Sequence, residues 1–480
     1  SMWLAEHQMN VKFQEELFVL PETLPLKPSG HIVCGNACRL DWNTVCPHTN
    51  DDEVYIMGNP PYLGSKLQDE SQKEDMKIAL ADVKDKKGVD YIAAWFWKGA
   101  QYIHNSKAKY AFVTTNSISQ GEQVAMLWKP IFDLGLEIFF ARTSFKWSNN
   151  AKYNAAVTVA IIGVENKSST KKRLFYEREN LTFSVDRINP YLAASDNVIV
   201  VKTYTVPKGL PKAEFGCMPY DNGHLLMSES ERDTMLDNYP KSTAFIKQIM
   251  GSQEFLNDIH RYCLWIDDDK REIAETIRPI KERIAATENF RLNESKDGAS
   301  LADRPHQFRE HYIINENSKD KILIPSVSSE RREYIPIGFV DKNIIISNLA
   351  FAIYDAEKWL FALLTSKMHN LWVRTVGGRL KTDYRYSATL CYNTFPFPKL
   401  TKAEKEELER LAQNILNIRD ENFDMTLGEM YNPETMPEAL REAHHQLDLV
   451  VERIYRPQPF ISDEERLEHL FKLYAKMTKK

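Results

Sequence analysis

Val54-Tyr55-Ile56-Met57-Gly58-Asn59-Pro60-Pro61-Tyr62-Leu63-Gly64-Ser65 decides how this chain is read. Val54 to Met57 is an apolar run of β character that meets Gly58 and then Asn-Pro-Pro-Tyr. Neither proline has a backbone N–H, and each holds φ at about −65°. Pro60 also pushes Asn59 out of the helical region. The strand therefore ends in a stiff, extended loop. Open α/β sheets place their chemistry outside the carboxyl ends of such strands.

That loop offers two acceptors close together, the Asn59 side-chain carbonyl and the Pro60 carbonyl. Tyr62 adds a flat apolar face with a polar tip. Two acceptors and an aromatic plate suit an exocyclic amine on a planar ring. The competing reading is a tight turn in which Asn59 caps and Tyr62 packs.

A length of 480 residues suggests two to four domains. With 43% apolar and 27% charged residues, the composition is that of a soluble globular chain. No window approaches the run of about 18 apolar residues that a membrane helix needs. No signal peptide is read at the start, and Ser1-Met2 looks like a tag-cleavage scar. Cys34, Cys38, Cys46, Cys217, Cys263 and Cys391 form no Cys-x-x-Cys or adjoining His pair. They read as reduced thiols, and no metal is expected. A net charge of −5 does not advertise a nucleic-acid binder, so any DNA contact has to come from local basic clusters.

Asn59-Pro60-Pro61-Tyr62 after a strand resembles motif IV of the amino-methyltransferases that act on adenine N6 in DNA. The wider stretch Gly58 to Lys66 is similar to the MmeI-like family of fused restriction-modification enzymes. The resemblance implies an α/β fold class. A truncated Rossmann-like class I methyltransferase sheet would be followed by an α+β target-recognition domain and a small all-α C-terminal domain. The boundaries it implies are 1–187, 188–399 and 400–480. It implies S-adenosylmethionine as cofactor, double-stranded DNA as partner, no membrane and a prokaryotic cytoplasm.

In the resemblance, Asn59 and the Pro60 carbonyl accept the two N6 hydrogens while Tyr62 stacks on the flipped base, with Pro61 stiffening the loop. His31 to Ala37 resembles motif III, usually written with Asp where Asn36 stands. Asn36, Ala37 and Gly58 would then border the cofactor. Ala111 to Asn116 resembles motif V. Phe145 to Tyr153 stands where motif VIII belongs, with Trp147 on the second face of the adenine, Phe145 and Tyr153 behind it, and Lys152 on a phosphate. No glycine-rich cofactor loop occurs in the 480 residues. The expectation is a C-terminal piece that lacks the cofactor half and a possible nuclease, binding S-adenosylmethionine weakly or not at all.

Outward from this centre, residues 2–20 have helical periodicity and 73–88 reads as a solvated helix and turn. Tyr91, Ala94, Trp95, Lys98 and Tyr102 form a core stripe on a helix over 90–104. Strands are expected at 111–116, 136–141 and 155–162. Beyond 190, strands are expected at 322–325, 334–340 and 344–346, and helices at 271–294 and 359–372. The stretch 374–386 concentrates Arg374, Arg379, Lys381 and Arg385 with two tyrosines and Gly377-Gly378. Basic groups supply phosphate affinity and glycines permit close approach. By the resemblance, Lys381 and Asp383 jointly read one G·C pair; otherwise they form a surface ion pair of little consequence. Residues 400–480 have helical periodicity, and His444-His445 reads as a solvated pair.

Three functions fit. The first is an adenine-N6 DNA methyltransferase with its recognition domain. The second is a non-catalytic specificity subunit. The third is a methyltransferase acting on RNA or a protein amide. Domain order after the catalytic loop favours the first.

Overall fold

The computed structural model describes residues 8–12, 32–84, 88–147, 157–176, 181–294, 296–380 and 382–479. Of the helix expected over 2–20, residues 8–12 are described and are helical; the rest lies outside the described residues.

Six strands form the first sheet: β1 Tyr55–Gly58, β2 Lys109–Thr115, β3 Leu136–Trp147, β4 Val157–Asn166, β5 Lys172–Tyr176 and β6 Leu181–Val185. Their spatial order is β1-β2-β4-β3-β5-β6. β1 runs parallel to β2, from Tyr55 opposite Lys109 to Gly58 opposite Phe112. β4 lies antiparallel to both β2 and β3. β2 alternates as a pleated strand does, with Tyr110, Phe112 and Thr114 buried. Among the described residues β1 has no strand on its other edge, and Tyr55 and Met57 are exposed there.

Helices α1 Glu70–Ala79, α2 Ala93–Ile103 and α3 Gln123–Asp133 accompany the sheet. α2 is apolar on almost every side and sits inside the domain. Phe96 meets Phe112 and Trp128 edge-on, with ring centroids 5.5 and 5.7 Å apart. Gly99 is required here, because a Cβ would stand 3.0 Å from the Tyr110 ring. α1 opens with a capping box from Asp69 and Gln72. It is not the solvated helix expected, since Asp75, Met76 and Ala79 turn inward.

The segment 213–385 builds two four-stranded sheets and a three-stranded one. Its strands are β7 Ala213–Phe215, β8 Leu226–Met227, β9 Ile246–Met250, β10 Arg261–Leu264, β11 Lys321–Pro325, β12 Val327–Ser328, β13 Gly338–Val340, β14 Ile345–Ile346, β15 Ala350–Ile353, β16 Gly378–Leu380 and β17 Asp383–Arg385. The orders are β14-β9-β10-β8, β13-β11-β15-β7 and β12-β17-β16. Only the end of the expected strand 334–340 is a strand. The expected helix 271–294 breaks into Arg271–Glu275 and α4 Arg278–Leu292. The ring of Pro279 would clash with the carbonyl of residue 275 in a continuous helix, so the chain restarts with Pro279 in the first turn. The helix expected at 359–372 becomes α5 Lys358–Thr365 and α6 Lys367–Val376, separated by an extended Ser366.

Three long helices close the chain: α7 Lys402–Glu421, α8 Glu438–Tyr455 and α9 Asp463–Thr478. A polar seam fixes them to the segment 213–385. The Tyr334 hydroxyl donates to Asp448 Oδ2 (2.7 Å), and the Lys367 N–H donates to Asp448 Oδ1 (2.6 Å) at the start of α6. Arg419 donates to the Ile337 carbonyl (2.7 Å). His444 is not solvated: it is fully buried, stacked on Tyr334 at 4.2 Å and hydrogen-bonded to the Tyr431 hydroxyl. One apolar core runs continuously from Cys38 to Tyr474. No described helix is long and apolar enough to cross a membrane.

Burial pushes the Asp448 carboxyl up to about 7, against the hydrogen bonds from Lys367 and Tyr334. An acid raised in the folded state destabilises it progressively as pH climbs from the ordinary carboxyl range through the raised value. Asp448→Asn, which keeps an acceptor for Lys367, should therefore raise the melting temperature at pH 8 and change it little at pH 4. Thermal unfolding at the two pH values checks this.

Candidate active site and nucleic-acid interface

β1 ends at Gly58 and the chain leaves the sheet as Asn59-Pro60-Pro61-Tyr62. Asn59 is exposed, and its carboxamide makes no hydrogen bond to a described residue. Pro60 is buried, yet its carbonyl accepts from no described donor. Tyr62 is half-buried against the core, and its ring meets no other ring among the described residues. Both acceptors are thus without a described donor, and the phenol is stacked on no other described ring. Asn59 is not the capping residue of a closed turn.

The loop is held from downstream. Leu63 N–H donates to Asp90 Oδ1 (2.9 Å). The Leu63 carbonyl accepts from Tyr91 N–H and from Gln68 Nε2, each at 2.9 Å. Asp90 and Gln68 are buried. The sequence reading missed both. The available signal was a lone acid in the apolar run Val89-Asp90-Tyr91-Ile92-Ala93-Ala94, where a charge is buried only with partners.

On one side of the loop lies a cavity of about 630 Å³, lined by Ala37, Trp42, Met57, Gly58, Asn59 and Pro60 among others. Its size is that of a small-ligand pocket. A Cβ on Gly58 would meet nothing nearer than Phe112 at 3.7 Å, so the fold itself does not demand glycine there.

Asn36 stands at the mouth of this region, but its carboxamide is engaged. Its Nδ2 donates to Asp75 Oδ2 (2.9 Å), and its Oδ1 accepts from Cys38 N–H (2.9 Å). Asp75 also accepts from Tyr91 Oη and Arg39 Nε, each at 2.6 Å. Burial raises the Asp75 carboxyl, but the bonds from Tyr91, Asn36 and Arg39 outweigh it and leave the group below its ordinary value. An amide at position 36 can donate to this carboxylate, whereas an acid could not.

The second candidate region is the hairpin of β16 and β17. Register places Arg379 opposite Tyr384. The Tyr384 ring lies near two guanidinium groups, Arg379 at 4.5 Å and Arg374 at 5.4 Å from its centroid. Arg374 donates to the Arg332 and Glu333 carbonyls (2.5 and 2.7 Å), and Arg379 pairs with Glu330 (3.0 Å). These two arginines hold the hairpin together, a use the sequence reading did not foresee. Asp383 and Arg385 point to the opposite face from Tyr384 by strand alternation. Arg385 is exposed and makes no ion pair among the described residues. Lys381, Lys152, Tyr153 and the Trp147 side chain lie outside the described residues.

The turn after β2 and the hairpin border a common cleft. A cavity of about 440 Å³ is bounded by Asn116, Ser117, Gly121 and Gln123 on one side and by Gly378 and Arg379 on the other. Gly121 has a positive φ of 60°, and a Cβ there would lie 3.4 Å from Gly378 Cα.

Three family descriptions match this chain in succession. They are MmeI, DNA-methyltransferase domain, over 1–176; MmeI, target recognition domain, over 194–399; and MmeI, C-terminal domain, over 400–480. DNA methyltransferase A of Bacillus subtilis (strain 168) is 46% identical over 482 residues, covering 100% of this chain and 54% of that protein. The structure of the Type IIL restriction-modification enzyme MmeI in complex with DNA superposes with a TM-score of 0.83 and 38% identity, over 99% of this chain and 64% of that one. The chain spans about half the length of the curated relative. Fold and domain order therefore define a DNA-methyltransferase domain joined to a target recognition domain and a helical C-terminal domain. The chain belongs to the MmeI family.

The Asn36–Asp75 pair carries a test. Asn36→Asp replaces a donor with an acceptor against a buried carboxylate, a loss of about 1–3 kcal/mol. The melting temperature should fall at pH 7.5 and fall less at pH 5, where one carboxyl takes up a proton. Adding Asp75→Asn should recover most of the loss. Thermal unfolding of the two single variants and the double variant measures it.

Proposed function

We propose that this chain forms the base-side half of the catalytic pocket, together with the recognition and C-terminal domains, of a site-specific DNA methyltransferase. The enzyme transfers a methyl group from S-adenosylmethionine to adenine N6 within a restriction-modification system of the bacterial cytoplasm. The observation that carries this reading is the pair of unpartnered acceptors, Asn59 Oδ1 and the Pro60 carbonyl, beside the half-buried ring of Tyr62.

Adenine N6 is a poor nucleophile because its lone pair is delocalised into the purine. Asn59 and Pro60 each accept one N6 hydrogen. That draws the nitrogen toward tetrahedral geometry and favours the charge that develops on it, so the interaction is stronger in the transition state than in the ground state. The base reaches the loop only after extrusion from the duplex, at a cost of a few kcal/mol. Stacking on Tyr62 returns about 1–3 kcal/mol, and Trp147, backed by Phe145 and Tyr153, covers the second face.

The cavity bordered by Ala37, Gly58, Asn59 and Pro60 fits one wall of a cofactor site, with Asn36 beside it. When bound there, S-adenosylmethionine supplies the electrophilic methyl group. The bare edge of β1, with Tyr55 and Met57 exposed, supports a further part of the methyltransferase fold packing against this wall.

Duplex DNA spans the loop and the hairpin. Lys381 and Asp383 read one G·C pair, Arg385 supplies a free cation, and Lys152 holds a phosphate. Arg374 and Arg379 act through the hairpin they brace. On this reading the domains are 1–187, 188–399 and 400–480.

Two variants test the proposal in the full reading frame that encodes this chain. Asn59→Ala should lower methylation by at least about 100-fold, the cost of one oxyanion-type contact, while DNA affinity stays within a few-fold. Labelled-methyl transfer and gel-shift titration measure the two; retained activity removes Asn59 from the chemistry. Lys381→Glu with Asp383→Arg should alter one position of the methylated site, as read by modification-sensitive sequencing, and an unchanged site refutes the assignment.

A further inference from the structure

We infer that Asp90 is the positioning residue of the Asn59–Tyr62 loop and ties the shape of that loop to the segment that meets the recognition hairpin. The inference rests on the reading of Asn59 and Pro60 given above.

Pro60 and Pro61 have no N–H, so the sheet has no donor with which to hold this part of the loop. The grip falls on Leu63, the residue after Tyr62. Asp90 Oδ1 accepts from Leu63 N–H (2.9 Å) and from Ile92 N–H (3.2 Å) at the head of α2. Asp90 Oδ2 accepts from Ser117 Oγ (3.2 Å), which also shares a hydrogen bond with Thr115 Oγ1 (2.7 Å). Asp90 N–H donates to Gln123 Oε1 (2.8 Å). One buried side chain therefore joins the catalytic loop, the helix under it and the turn after β2. That turn runs through Gly121, the point of closest approach to Gly378 of the hairpin. Lys202 and Glu122 (2.7 Å) tie the same segment to the recognition region.

Asp90 itself is buried and has no access to a substrate. Its effect passes through Leu63 to the tilt of Tyr62 and the direction of the two acceptors. Displacement of reacting groups by about 1 Å costs on the order of 100-fold in rate.

The test uses the full reading frame that encodes this chain and a duplex carrying its mapped site, with 2-aminopurine at the target position in a parallel substrate. Asp90→Ala should lower kcat by about 10- to 100-fold, with KM for DNA within about threefold. 2-Aminopurine should still leave the stack but fluoresce more brightly than in the wild-type complex, because Tyr62 no longer lies flat against it. Asp90→Asn keeps an acceptor for Leu63 and offers Ser117 a donor, so it should recover most of kcat.

A wild-type kcat for Asp90→Ala, or an unchanged 2-aminopurine signal, overturns the inference. If Asp90→Ala fails to fold, Ser117→Ala decides. A reduced kcat with unchanged melting temperature supports it, and full activity overturns it. Asn59→Ala in the same assay separates the two levels of argument. If Asn59→Ala is inactive and Asp90→Ala fully active, only this inference falls. If Asn59→Ala is active, the functional reading falls first.

Discussion

Two neighbouring residues without backbone N–H groups are the constraint on which this site depends. A strand that continued past Gly58 would have its carbonyls and amides absorbed by β2. Pro60 and Pro61 prevent that, because a ladder needs donors that prolines lack. The Pro60 carbonyl and the Asn59 carboxamide are left without described partners, where the proposed chemistry needs two acceptors. Openness alone would give a loose loop. The chain compensates at Leu63, whose N–H and C=O are both engaged, by Asp90, Tyr91 and Gln68. At about 0.5–1.5 kcal/mol net for each bond, the three together exceed thermal energy several-fold. The loop is firm at its exit and unencumbered where the chemistry is proposed.

The parts that were legible in the sequence were those written locally. The apolar run within 111–116 marks β2, and the proline pair announces the end of β1. Asp90 was not legible, because its partners are Leu63, 27 residues earlier, and Gln123, 33 residues later. Asn36 could be placed but not its engagement, since that depends on Asp75 in a helix whose charge density suggested solvent on all sides. His444 was misjudged for a related reason. Helical spacing shows that adjacent histidines diverge, but not that α8 presses one of them onto Tyr334. The break at Pro279 had its signal in the sequence, and tertiary packing makes the break at Ser366, where Asp448 takes up the N–H of Lys367.

Basic residues at 374–386 show how composition misleads about electrostatics. With a net charge of −5, phosphate affinity on the proposed reading has to come from local cations. Even so, two of the four in this stretch are turned inward. A three-stranded sheet as small as β12-β17-β16 buries too little to be rigid alone. Arg374 and Arg379 both pack near the Tyr384 ring and bond to backbone and to Glu330, and this supplies the missing stiffness. Asp383 and Arg385, on the other face, are then presented by a braced strand. Discrimination between bases rests on geometry of that kind, because a mobile side chain reaches the right and the wrong edge alike.

The same reasoning extends to the relation between hairpin and loop. Methylating one adenine within a site requires the reading surface and the reacting acceptors to keep a fixed offset. Nothing in the hairpin or the loop could enforce it separately. The offset is set where Gly121 meets Gly378 with no side chain between them, and by the seam of Tyr334, Asp448, Arg419 and His444 that joins the recognition region to the closing helices. An apolar core draws together residues of all three matched stretches from Cys38 to Tyr474, while the sheet β14-β9-β10-β8 has a core of its own. Packed interiors shift between discrete arrangements rather than deform smoothly. On the proposed reading, a mismatch at the hairpin would therefore be felt at Asn59, although that residue touches no recognised base pair.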